Sequence, residues 1–279
     1  MAGPVIDIVR HAEAENNVLG HETRDPGLTS EGKGQCQELR DSYPHMERVK
    51  LVVSSPLRRA LQTTGIAFAA AAEAAGTDVV LHPDLQENSA RPSDTGSPLS
   101  TVLGECLFRV DATLMGGNER WYSKAGTGSR YFPALEKVEE RARAARVWLR
   151  DRARELQDGD RLVVLSHGAF LHFLTQDFAG LDVNRGSGVW LNADYRSFEF
   201  ADLEGNDTEA TLVERQDSQG IPARPWCELT EEERALQKGY AIDRLRRHEE
   251  EALVAQWRRR GLIETSSRKP GRHCPWRRP

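Results

Sequence analysis

The 279-residue sequence has no surplus of positive charge: 43 Asp and Glu against 38 Lys and Arg leave a formal charge of −5. A chain that neutralises a phosphate backbone needs a positive field, so no nucleic-acid partner is expected. It also has no apolar run approaching the ~18 residues of a membrane-spanning helix, and no membrane association is expected either. Cysteine is scarce. Cys36, Cys106, Cys227 and Cys274 lie far apart and form no C-x-x-C pair, which argues against a disulfide framework and a zinc knuckle and for reduced thiols. Met1 to Pro4 bring no basic residue ahead of the apolar run at Val5, so a secretory signal is not expected and a cytoplasmic location is. The sequon Asn206-Asp207-Thr208 should then stay unmodified.

What is present has the balance of a globular protein, with 38% hydrophobic and 29% charged residues. Short β-branched runs at Pro4–Val9, Val49–Ser54, Asp78–Leu81 and Arg161–Ser166 alternate with helical stretches up to about residue 215. The expected fold is a three-layer α/β/α sandwich with a mainly parallel central sheet. Thr29-Ser30-Glu31 opens a helix running to about Arg40. Ser55-Pro56 opens another whose stripe is Leu57, Leu61, Thr64, Phe68 and Ala72, and Leu135 to Leu156 forms a third. Val189–Leu191 and Phe198–Phe200 read as two strands of an edge hairpin.

Two stretches depart from this rhythm. Residues 88–134, after the third strand, are too long for a simple connection and read as a lid or small subdomain. Trp121, Tyr122, Tyr131 and Phe132 within it form either a wall over a ligand or the insert's own core. The domain is expected to span residues 1–225. A charged helix follows at 226–257, opened by the capping box Thr230-Glu231-Glu232-Glu233, and then a tail at 258–279 with eight basic residues and the single acid Glu264. The tail's composition predicts disorder.

Three strands end in polar clusters: Arg10-His11-Ala12-Glu13, Ser54-Ser55-Pro56-Leu57-Arg58-Arg59 and Ser166-His167-Gly168. In parallel α/β sheets ligands bind at the carboxyl ends of the strands, so two histidines and two or three arginines converge on one edge. Guanidinium forks match the oxygens of a phosphate, and the helix start behind Ser55-Pro56 would add N–H groups. Cations around a histidine disfavour imidazolium, and neutral imidazole is a nucleophile. His11 is therefore the expected nucleophile at phosphorus, with the arginines and a protonated His167 stabilising the transferring oxygens.

These segments resemble the motifs of the histidine phosphatase superfamily, in its phosphoglycerate-mutase-like branch. Arg10-His11-Ala12-Glu13 with Asn17 is similar to R-H-G-E-x-x-x-N, with Ala in place of Gly. Asp25, Leu28-Thr29 and Gly32 resemble D-x-x-L-T-x-x-G, and residues 54–63 resemble S-S-x-L-x-R-A-x-x-T. Ser166-His167-Gly168 resembles the second-histidine motif. The resemblance covers about residues 5–215. It implies a phosphohistidine on His11, a phosphate pocket of Arg10, Asn17, Arg59, His167 and Gly168, and no metal or other cofactor. It also selects Arg59 over Arg58 and implies Glu87 as proton donor to the leaving group, with Asp84 and Glu13 as weaker candidates.

The mutases of this family follow the acid with an Arg-His-Tyr-Gly type clamp for a second anion. Here Glu87 is followed by Asn88-Ser89-Ala90-Arg91, which favours hydrolysis of a small phosphomonoester or diphosphate. Mutase-type transfer and a non-catalytic phosphate-binding scaffold are the alternatives. Arg91 is a candidate substrate contact or an exposed charge. Segments 93–97 and 190–196 resemble poorly characterised fungal members of the family, which name no substrate. His172 is expected to be buried on one side of its helix, and His21 and His82 do not stand at metal-ligand spacing. The sequence leaves the oligomeric state open.

Overall fold

The computed structural model describes residues 3–181, 190–216, 218, 228–260 and 262. Seven strands form one sheet: β1 (Val5–Arg10), β2 (Val49–Ser54), β3 (Val79–Leu81), β4 (Val110–Asp111), β5 (Arg161–Ser166), β6 (Tyr195–Phe200) and β7 (Leu212–Glu214). Their order is β4-β3-β2-β5-β1-β6-β7. The first five of that order are parallel, while β6 and β7 are antiparallel. Among the described residues eight α-helices accompany them: α1 (Glu15–Leu19), α2 (Ser30–Ser42), α3 (Arg58–Ala67), α4 (Ala69–Ala74), α5 (Leu99–Glu105), α6 (Leu135–Ala153), α7 (Gly168–Thr175) and α8 (Glu231–Arg259).

The uniformly apolar strand sequences follow from burial on both faces. Along β5, Leu162 and Val164 join Val138, Leu149 and Phe170 in one core, and Val163 and Leu165 join Leu39, Phe68 and Ala72 in the other. Side chains of a strand alternate across the sheet, so one run of β-branched residues serves two helical layers. The three-layer arrangement is thus as the sequence predicts. Asp7 interrupts β1 without exposure because Tyr43, Arg161 and Ser197 all donate to its carboxylate.

Several boundaries differ from the sequence reading. The helix after Ser55-Pro56 begins only at Arg58: the Ser55 hydroxyl is hydrogen-bonded to His167 Nε2 (2.7 Å), and Asp25 instead accepts the Arg58 N–H (2.9 Å). The expected continuous stripe breaks at Phe68 into α3 and α4, and α6 ends at Ala153. β6 pairs with β7, which the sequence did not suggest, rather than with Trp190–Leu191. Trp190 is buried as loop, and Val189 lies outside the described residues. The two-residue β4 was too short to signal itself. α8 runs past Trp257 to Arg259, and the chain from 263 on lies outside the described residues. Cys36 and Cys106 are free thiols, each pushed up to about 11 by burial, while Cys227 and Cys274 are not described. Among the described residues no helix is long and apolar enough to cross a membrane.

Within the insert, Leu99, Val102, Met115 and Trp121 pack on Leu57, Leu61 and Leu81, and Phe132 is buried. Its aromatics form a core rather than a wall over a ligand. Gly32, on the first turn of α2, touches the strand-end loop so closely that a Cβ would lie 1.9 Å from the Glu13 carbonyl oxygen. Gly32→Ala is expected to destabilise the fold by on the order of 3 kcal/mol, read as a lowered urea midpoint at unchanged slope.

Candidate active site

The carboxyl ends of the parallel strands carry the site. β1 ends in Arg10, and His11 follows with its side chain buried. Its Nδ1 lies 2.8 Å from the Ala12 carbonyl, and a carbonyl can only accept, so the proton is on Nδ1. The Nε2 lone pair is left to accept from Arg59 Nε at 3.2 Å. Burial, then the Arg59 and Arg10 charges, holds the ring well below the usual histidine range and therefore neutral.

The motif residues around it have mechanical parts. Thr63 accepts the Ala12 N–H (3.0 Å) and donates to the Arg59 carbonyl (2.8 Å), tying the histidine loop to the start of α3. Asp25, whose φ of +44° is left-handed, accepts from Arg58 N and from Ser97 Oγ. Arg58 itself turns outward onto Glu105, which leaves Arg59 in the pocket. Asn17 Oδ1 accepts from Ala14 N–H (2.9 Å) and Asn192 Nδ2 (3.3 Å), so Asn17 lines the pocket through its amide group.

Arg59 spends three of its five N–H donors on protein partners. Beyond His11 it donates to the Ser93 carbonyl (2.6 Å) and to Asp94 Oδ1 (2.9 Å). Ser89 donates to the other oxygen of Asp94, and the buried Lys124 Nζ reaches the Asp94 and Glu87 carbonyls at 2.5 and 2.8 Å. Burial pulls Lys124 down to about 7. Asp94, through its carboxylate, and Lys124, through its contacts to carbonyls, are site components that no catalytic motif flagged, because both come from the insert.

The loop bearing Glu87 is pinned from behind. Arg141 of α6 donates to the Asp84 and Gln86 carbonyls and to Asn88 Oδ1, and Ser166 Oγ donates to the Leu85 carbonyl. Glu87 consequently faces the start of α7, accepting from the Ala169 and Phe170 N–H groups (3.2 and 3.0 Å). Negative charge suits a helix N-terminus. The weaker acid candidates are occupied elsewhere: Asp84 is forked by Arg130, and Glu13 accepts from Thr29 Oγ1 (2.7 Å).

His167 precedes α7, its ring centroid 5.1 Å from that of His11. The sequence reading puts a proton on it. In this pocket, burial first and then the fields of Arg59 and His11 hold it neutral. Among the described residues its Nδ1 and Arg10 Nε are both buried without a hydrogen-bond partner, and Arg10 is drawn down to about 10, mainly by burial. Gly168 admits the Arg10 side chain, whose Nε would stand 3.2 Å from a Cβ there.

Arg10, His11, Asn17, Arg59, Glu87 and Gly168 line one cavity of about 70 Å³. A water needs roughly 10–15 Å³ on this measure, so a phosphoryl group fits. Arg91 stands at its mouth, but the guanidinium is forked onto Glu251 of α8 (2.9 and 2.8 Å) rather than turned inward as a substrate contact. His21, Arg244 and His248 also line the cavity, and the sequence reading missed all three. His172 is buried as expected, its Nδ1 2.7 Å from the Asp177 carbonyl.

Comparison with known proteins agrees with this architecture. A 65-residue stretch is 42% identical to the 5''-phosphoribostamycin phosphatase of Niallia circulans, covering 21% of this chain and 30% of that protein. The match thus spans less than a third of the relative's length. The ecdysone phosphate phosphatase of Bombix mori, solved with tungstate, superposes with a TM-score of 0.50 at 14% identity, over 70% of this chain and 89% of that one. The profile of the histidine phosphatase superfamily (branch 1) matches residues 6–216. With its strand-end motifs gathered on one cavity and three quarters of its length covered by that profile, the chain belongs to the histidine phosphatase superfamily.

Proposed function

We propose that the chain hydrolyses a phosphomonoester of a small metabolite through a phosphohistidine on His11, without a metal or other cofactor. The observation that carries this reading is the His11 ring itself: neutral, with Nδ1–H given to a carbonyl and the Nε2 lone pair turned to the guanidinium of Arg59. Nε2 attacks phosphorus and the ester P–O bond breaks. Glu87 acts as the general acid and passes a proton to the leaving alkoxide. Water then attacks the phosphohistidine, gives a proton back to Glu87, and the P–N bond breaks to release phosphate and neutral His11.

Arg10, Arg59, Asn17 and His167 hold the three non-bridging oxygens. Arrival of the phosphate dianion favours the charged imidazole, so His167 becomes a cationic donor only when substrate is bound. Asp94 and Lys124 keep Arg59 in register. The Arg-His-Tyr-Gly type clamp of the mutases is absent, and Arg91 is committed to Glu251, which supports water rather than a bound alcohol as acceptor.

Purified protein is expected to release inorganic phosphate from an aryl phosphate in the presence of EDTA. No release, with phosphate still bound, would leave only a binding scaffold. Glu87→Gln is expected to cost about 10²-fold or more on an alkyl phosphate and far less on an aryl phosphate, whose leaving group needs little protonation. Equal losses on both would remove Glu87 as the acid.

A further inference from the structure

α8 lies beyond residue 216, where the match to the family profile ends, and it nevertheless contributes to the cavity that holds His11. Its buried residues Ala241, Leu245, His248 and Ala252 recur at helical spacing, and Ala241 and Leu245 belong to the core shared with α6 and α7. Three polar contacts fix the helix on the body: Gln237 accepts from the Gly180 N–H (3.1 Å), Lys238 pairs with Glu139 (3.2 Å), and Glu251 takes the fork from Arg91. Arg244 and His248 stand one turn apart on this anchored face.

A second chamber of about 530 Å³ lies beside the phosphate cavity. His21, Arg91, Ala169, His172, Arg244 and His248 line both spaces, so the two adjoin. The outer chamber has apolar walls in Phe173, Tyr240 and Leu245 and polar ones in Asn88, Arg244 and His248. Its volume lies within the roughly 300–1,000 Å³ of sites for drug-sized ligands and far exceeds what a three-carbon alcohol fills. Burial, then Arg244 and Arg91, brings His248 down to about 4, so its neutral ring can both donate to and accept from a hydroxyl.

We propose that α8 completes the active site by building a leaving-group chamber, with Arg244 and His248 contacting a ring-sized, hydroxylated alcohol whose phosphate enters the His11 cavity. This deepens the phosphatase reading and rests on it for the identity of the group that enters. The preferred substrates are then phosphate esters of sugar- or nucleoside-sized alcohols rather than of three-carbon acids.

The test uses the full-length chain and three esters of primary alcohols that differ in size: glycerol 3-phosphate, glucose 6-phosphate and adenosine 5′-phosphate. Binding is read by calorimetry on His11→Ala protein, so that it does not depend on turnover, and hydrolysis is read on the unaltered chain. At least one larger ester is expected to bind at least about tenfold tighter than glycerol 3-phosphate, and adding Arg244→Ala is expected to shrink that advantage to within about threefold. Arg244→Gln serves if the alanine variant does not fold. Equal affinities for all three esters, or an advantage that survives both Arg244→Ala and His248→Ala, overturn the chamber. Hydrolysis with no size preference sinks the chamber alone. A size preference without hydrolysis by the unaltered chain sinks the phosphatase reading and leaves the chamber standing.

Discussion

Replacing His11 by Ala is expected to lower turnover of an aryl phosphate by at least about 10⁴-fold, because under the proposed mechanism the variant loses the atom that bonds to phosphorus rather than one that assists it. The cationic shell of Arg10 and Arg59 would survive, so inorganic phosphate should still bind within about an order of magnitude of the unaltered protein. That split separates loss of the nucleophile from loss of the pocket. The covalent step has its own signature. Quenching the unaltered enzyme during turnover of a ³²P-labelled ester should trap a protein-bound label that is lost in acid and kept in alkali, as a P–N bond requires, and His11→Ala should trap none. Persistent turnover in the variant, or a label stable in acid, would remove His11 from the role.

The second large effect is on stability in mild acid. Five buried histidines are held below their ordinary range chiefly by burial: His82, His172 and His248 at about 4, and His11 and His167 well below 6.5. A histidine depressed in the fold is neutral there and charged in the unfolded chain at any pH between the two values. The unfolded state therefore binds more protons in that window, and stability present above pH 6.5 is lost as the pH falls towards 4. Asp194 opposes this, since burial raises it to about 6 and the fold keeps its proton. Near pH 5 the three rings at about 4 outweigh Asp194 by roughly two protons, a loss on the order of 2–3 kcal/mol per pH unit, and His11 and His167 act in the same direction. Urea titrations at pH 7, 6, 5.5 and 5 would read it as a steep fall in midpoint. A flat profile from pH 6.5 to 5 would show that these rings carry their charge in the folded state.

Where the sequence could be read, it was read through local rules. The alternation of β-branched runs with capped helices predicted a parallel sheet because burial on both faces leaves strands with uniformly apolar composition. Arg10, His11, His167 and Gly168 were legible because they end or directly follow a strand, and strand ends of a parallel sheet share one edge; Arg59, on the helix after β2, was selected over Arg58 only through the resemblance. Glu87 was legible only through the resemblance. Its arrival at the pocket depends on Arg141, 54 positions further along in α6, holding the loop by its carbonyls.

Other features had no local signal. Ser55 looks like a helix cap in sequence, and only the fold brings His167 Nε2 to 2.7 Å from its hydroxyl, leaving a long 3.4 Å contact from the Leu57 N–H. Lys124 looks like any insert lysine until the fold places Asp94 and the Glu87 carbonyl around it. Arg91 has the sequence of a surface cation near the site, and its partner Glu251 is 160 residues away.

The sequence by itself pointed to the polar ends of three strands, to His11 as the expected nucleophile with Arg10 and Arg59 as the expected phosphate ligands, and to the capping box that opens α8. Only the tertiary structure decided which tautomer His11 carries, that His167 is neutral before substrate arrives, and that α8 closes over the site instead of leaving it. The reason is the same in each case. Chain-local patterns specify which residues must be buried or capped, whereas burial against a particular neighbour, and the charge state that follows from it, exists only once distant segments meet.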